Sequence, residues 1–243
     1  MFNTIASETI KLFSLRSTWI YLILSAGAMF GSALLTALAF GPDTPLDLTY
    51  LFTGADLSLI IVIFAAAMMA SADLTKGTVA WSYLMSNNRL GQLGAQVPII
   101  ALAVTLAATV GVALSVPGVY LLGGSLDFTV TTDVQAVITS SYAQWLIFTL
   151  LAAMLAVLLR SGAFSAMILI ADIFVVEAML GMAGIAALKP FLDLLPLANI
   201  RVLAAGEFGD VSHGPLAAGI ILAITVAVFF GVTGWVANRR AVR

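Results

Sequence analysis

The chain has 243 residues, of which 62% are hydrophobic and 9% charged, with a mean hydropathy of +1.12. Soluble globular domains carry about a quarter charged residues, so this composition excludes them and specifies a polytopic membrane protein. The net charge of -2 argues against a nucleic-acid partner, and the absence of cysteine excludes a disulfide, a thiolate metal site and a cysteine nucleophile.

Residues 1–17 place Phe2, Ile5, Ala6, Thr9, Leu12 and Phe13 on one helical face, with Thr4, Ser7, Glu8 and Lys11 opposite. That pattern predicts a helix lying in the membrane interface, a disordered tail being the alternative. Trp19 to Phe40 is an uncharged run of about 22 residues, enough at 1.5 Å per residue for a bilayer core of ~30 Å. It is longer than a signal-peptide core, so it reads as an uncleaved first span. Gly41 to Asp56 carries turn residues and three aspartates and reads as a loop.

Leu57 to Ala72 forms a short second span, and Val97 to Leu122 the third, with Pro98 and Pro117 near its two ends, where proline costs a helix least. Gly123 to Ala136 is a polar, threonine-rich loop. Val137 to Leu159 and Gly162 to Leu188 make spans four and five, separated only by Arg160 and Ser161 and therefore a tight antiparallel hairpin. Residues 189–214 are too apolar for a plain loop, yet Pro190, Pro196 and the later acids prevent a full span, which predicts short helices dipping into the outer leaflet. Leu216 to Ala237 is the sixth span. No internal repeat is evident. The expected fold is a single all-α domain of six transmembrane helices preceded by an interfacial helix.

Six spans with a cytoplasmic N-terminus put Lys11, Arg16, Lys76, Arg89, Arg160, Arg239, Arg240 and Arg243 inside, eight of the ten cations. The opposite topology reverses that split, so the positive-inside rule places both termini in the cytoplasm of a cell that carries the protein in its plasma membrane. Asp43, Asp47, Asp56, Asp127, Asp133, Asp193, Glu207 and Asp210 then lie outside.

No phosphate-binding Gly-x-x-x-x-Gly-Lys-Ser/Thr, metalloprotease or serine-hydrolase motif is present. The chain is therefore no enzyme by these signatures, and no metal site is expected. The single His213 reads as a solvated turn residue. Asp172 and Glu177 are the ionisable groups inside a span, where burial in hydrocarbon makes such residues functional candidates. Five residues at about 100° each separate them by roughly 140° on a regular helix, too far for one carboxylate pair on one face. Polar glue between helices, or a neutral carboxyl, is the alternative. Met167, Met179 and Met182 fit plain packing or a hydrophobic path, and Gly181 and Gly184 fit close helix approach.

The one long polar interruption that falls on the cytoplasmic side is residues 73–96, with Lys76 and Arg89 as its cations. Asp73, Gly77, Thr78 and Arg89 there stand at the spacing of an acid, a Gly-Thr step four residues on and an Arg twelve beyond that glycine. With this pattern the sequence resembles the permease subunits of type-2 ATP-binding-cassette exporters, and the likeness covers the whole chain in architecture. Asp73 stands where those permeases usually have Glu, Ser86 replaces a frequent Pro, and Gln96 replaces a Lys.

The resemblance implies a subunit that pairs with a second copy or a related permease and docks separate nucleotide-binding ATPase subunits on residues 73–96, with Asp73, Gly77, Thr78, Trp81 and Arg89 in the coupling. ATP and magnesium would then be bound by the partner, with no cofactor on this chain. The expected substrate is amphiphilic or hydrophobic: a drug, an antimicrobial peptide or a lipid. Two other readings stay open, a proton-coupled secondary transporter using Asp172 and Glu177, and a non-transporting sensor or immunity protein.

Overall fold

A computed structural model describes residues 2–41, 45–75, 89–183, 188–206 and 211–239. Helix α1 (Phe2–Ser14) turns at Leu15 into α2 (Arg16–Phe40). Strand β1 (Pro45–Asp47) and a 3₁₀ turn (Leu48–Phe52) lead to α3 (Ala55–Thr75). Then come α4 (Arg89–Leu121), β2 (Ser125–Asp127) and α5 (Thr132–Leu159). The fifth apolar element is composite: α6 (Gly162–Ala171), a π-helical turn (Asp172–Glu177) and α7 (Ala178–Ala183). Short helices α8 (Lys189–Leu192) and α9 (Pro196–Ala205) precede α10 (Pro215–Arg239).

Six of these segments are long and apolar enough to cross a membrane, which makes the chain a multi-pass membrane protein. The segments through α3 and α5 are the most enclosed, and those of α2 and α10 the least. Trp145 and Phe148 of α5 are fully buried, and Trp145 packs against the rings of Phe52, at 6.2 Å, and Tyr142, at 5.1 Å, which also meet each other at 6.2 Å. These aromatic contacts seat the 3₁₀ turn on α5. Several hydroxyls within the helices answer their own backbone: Ser25 donates to the Tyr21 carbonyl at 2.9 Å and Ser115 to that of Gly111 at 2.8 Å. In hydrocarbon such back-bonding is how a hydroxyl avoids an unmet hydrogen bond.

Glycine permits several close approaches, two of them against the backbone of a neighbouring helix. A side chain at Gly111 would lie 2.2 Å from the Ala26 carbonyl oxygen, so α2 and α4 pack backbone to backbone. One at Gly162 would lie 2.7 Å from the Ala67 carbonyl oxygen, which seats the start of α6 on α3. The reversal before it takes only Arg160, in the left-handed conformation at φ 57°, and Ser161, which caps α6 by accepting from the Phe164 N–H at 3.4 Å. The expected tight hairpin is what forms.

The structure revises several expected boundaries. α4 begins eight residues before Val97, which puts Pro98 in a helix interior and not near an end. α5 starts at Thr132, inside the expected loop, because Thr131 caps it by accepting from the Val134 N–H at 3.3 Å. The two loops expected after α2 and α4 are joined: β1 and β2 pair in parallel, with Leu46 opposite Leu126 and Asp47 opposite Asp127. Both strands read x-Leu-Asp-x-Thr, with the leucine buried and each aspartate accepting from the backbone and hydroxyl of the threonine two residues on. Those bonds hold the Asp127 carboxyl below its ordinary range.

Candidate functional site

The strand pair marks one end of the bundle. At the other end α1 packs on α4 and α2. The corner between α1 and α2 is fixed by Trp19, whose Nε1 donates to the Phe13 carbonyl at 3.0 Å while its ring lies 5.6 Å from that of Phe13. Glu8 and Leu12 face inward from α1. Glu8 accepts from Gln92 Nε2 of α4 at 3.3 Å and lies 3.6 Å from the Lys11 ammonium. The first helix is thus pinned to the beginning of α4, within one turn of Arg89.

The coupling residues expected from sequence fall almost wholly outside the described residues. Gly77, Thr78 and Trp81 lie there, as do Lys76 and Ser86; for Asp73 in α3 and Arg89 in α4 the backbone alone is described. Gly184, Glu207, Asp210, Arg240 and Arg243 also fall outside.

Asp172 and Glu177 bound the π-helical turn. A π-helix closes its hydrogen bonds from i to i+5, so residues five apart come round to neighbouring positions instead of the 140° that a regular helix gives. The wider turn thus brings the two positions closer round the helix than the expected 140°. Their surroundings differ. Glu177 is buried, and its Oε1 and Oε2 accept from the backbone N–H groups of Leu197, at 3.2 Å, and Ala198, at 3.1 Å.

Helix α9 needs that acceptor. Its N-cap position is Leu195, which has no oxygen to offer, and Pro196 opens the first turn. Leu197 and Ala198 therefore present N–H groups without a local partner, and Glu177 reaches them from the fifth apolar element. A carboxylate at membrane depth costs about 2.5 to 3.5 kcal/mol on insertion scales. Hydrogen bonds to a charged acceptor are worth about 1.5 to 3 kcal/mol each, so the two together are of the same size as that cost. Arg201, one turn along α9, is also within electrostatic reach. Asp172 is half-buried and has no hydrogen-bond partner among the described residues; Ile168 and Val175 beside it face outward.

A second cluster holds α8 and α9 to the start of α10. Fully buried Asn199 donates through Nδ2 to the carbonyls of Asp193, at 3.0 Å, and Leu195, at 2.8 Å. Its Oδ1 lies 2.8 Å from His213 Nε2, which must carry the proton because an amide oxygen only accepts. Asp193 accepts from the Ser212 N–H at 3.1 Å and its hydroxyl at 2.6 Å. Desolvation raises the Asp193 carboxyl, but the Ser212 bonds together with His213 and Lys189 hold it below its ordinary range. His213 is therefore a half-buried member of a network, not a solvated turn residue. The sequence signal for it was the pairing of Asn199 with proline-bounded helix starts, which demand side-chain acceptors and donors nearby.

Among the described residues no group of three or more His, Cys, Asp or Glu could hold a metal ion. No protein-family model matches the chain, and no curated protein is similar to it.

Proposed function

We propose that this multi-pass membrane protein is the permease subunit of a type-2 ATP-binding-cassette exporter, with both termini and residues 73–96 in the cytoplasm of a plasma-membrane complex. Separate ATPase subunits would bind ATP and magnesium, and a second copy or a related permease would complete the path for an amphiphilic or hydrophobic substrate. The observation that carries this reading is the docking of α1 on the start of α4 through Glu8 and Gln92. Residues 73–96 return to the bundle through that helix, so a push delivered there reaches α1, α4 and the close α2–α4 contact at Gly111 together. The eight to two division of cations between the two ends supports the orientation. The engagement of both Glu177 oxygens with α9 supports a structural role for that acid and removes part of the argument for a proton-coupled transporter.

The test is co-purification of an ATPase with the chain, followed by turnover in proteoliposomes for Gly77→Val and Arg89→Glu. Both variants should insert, since neither touches the apolar spans, and both should lower transport and substrate-stimulated ATP hydrolysis together. Transport by the chain alone, abolished by an uncoupler, would replace this reading with the proton-coupled one. Single cysteines at positions 89 and 127 test orientation with an impermeant maleimide on intact cells: only position 127 should label.

A further inference from the structure

On the flank of the bundle, α4, α5 and α10 enclose a cleft of about 680 Å³. Its floor includes buried Ala101 and Met154, while Pro98, Leu102, Leu146 and Ala223 at its rim are exposed, so it opens sideways along segments of membrane depth. No lining residue is ionisable. A charged guest would therefore enter an apolar wall with no counter-ion, which is costly in hydrocarbon.

A proline in this wall frees one backbone acceptor. Pro98 has no N–H, so the carbonyl of Gly94, four residues before it, lacks the donor that a regular helix supplies. Gly94 and Pro98 both line the cleft. Helix carbonyls point along the axis toward the residue four on, which places this acceptor in the wall between them. The Pro98 ring lies against that carbonyl on its axial side, and with glycine at position 94 no side chain stands beside it, a Cβ there meeting only the Phe230 ring at 3.6 Å.

We infer that this cleft is a binding site for a neutral, long-chain alcohol dissolved in the membrane, its hydrocarbon lying against α4, α5 and α10 and its hydroxyl donating to the Gly94 carbonyl. The volume is in the range of small-molecule sites, which are mostly apolar with few convergent polar groups. The hydroxyl is the matching group because it donates one hydrogen bond without bringing charge. The site stands whether or not the chain is driven by an ATPase.

The experiment uses the full chain in proteoliposomes without any partner and two photoreactive probes, a diazirine-bearing hexadecanol and its methyl ether, with labelled positions mapped by mass spectrometry. The alcohol should label the 94–102 and 223–230 peptides about fivefold more than the ether, the ratio that one neutral hydrogen bond supplies. Pro98→Ala restores an N–H for the Gly94 carbonyl and should erase that preference while labelling persists. Ala227→Phe and Gly94→Leu fill the cleft from opposite walls, and both should abolish labelling there by either probe. Equal labelling by alcohol and ether in the wild type would overturn the inference, as would an undiminished preference in Pro98→Ala or full labelling in both filled variants.

Discussion

Asp172 and Glu177 are the same kind of residue at the two ends of one π-helical turn, yet the fold treats them in opposite ways. Glu177 is buried with both oxygens on the first N–H groups of α9, whereas Asp172 is half-buried beside outward-facing Ile168 and Val175 with no hydrogen bond among the described residues. An acid at membrane depth is thus not one category. What decides its role is whether backbone donors converge on it, and those donors come from a helix twenty residues further along the chain.

The largest expected effect that tests this contrast is Glu177→Ala. It leaves two buried N–H groups without acceptors and should lower stability by about 3 kcal/mol, whereas Asp172→Ala should change it by less than about 0.5. Thermal unfolding of the purified protein in detergent separates them, and equal losses would dissolve the contrast. Glu177→Gln sharpens it: one acceptor oxygen remains, so roughly half the loss is expected. Tryptic cleavage after Arg201 should rise from wild type through Gln to Ala, and an unchanged order would show that α9 is held by other contacts.

A smaller effect concerns the second carboxylate at the same end. The Asp193 carboxyl is held below its ordinary value of 3.8 in the folded chain, so its contribution is present above that value and is lost as pH falls through the lower folded one. The carboxyl keeps part of its surface in water, so only a slight loosening is expected. Amide exchange at Ser212 should accelerate below about pH 4 in the wild type, and Asp193→Asn should flatten that dependence. The smallest expected change is Asp127→Asn, which weakens the bonds to Thr129 without touching buried Leu126. It should leave the melting temperature within about a degree, and a larger drop would mean that the exposed turn matters more than the strand contact.

Hydropathy made the six apolar segments legible, because a run of membrane length needs no tertiary information to be recognised. Their ends were not legible. The eight residues from Arg89 to Gln96 look like a polar linker, but Gln92 meets Glu8 and the turn becomes helical through a contact across the fold. The position of Glu177 in a span was readable, whereas its partners were backbone groups of Leu197 and Ala198, which no side-chain pattern announces. The assumption of regular helical spacing also failed at Asp172–Glu177, where one wider turn changes which residues are neighbours. The strand pair could have been found from the twice-occurring Leu-Asp-x-Thr, a signal too short to stand out before the pairing is known.

That pairing also sets an order of events during synthesis. Leu46 emerges with α2, but Leu126 is made only after α3 and α4 have been synthesised. The connection after the first span therefore waits, its strand edge open, while two further helices are laid down. The two strands close only when α4 is fully across, so their joining reports that half of the bundle has reached its final arrangement. A chain stalled before Ser125 keeps Pro45–Asp47 without its mate, an open strand edge of the kind that makes incomplete chains prone to aggregate.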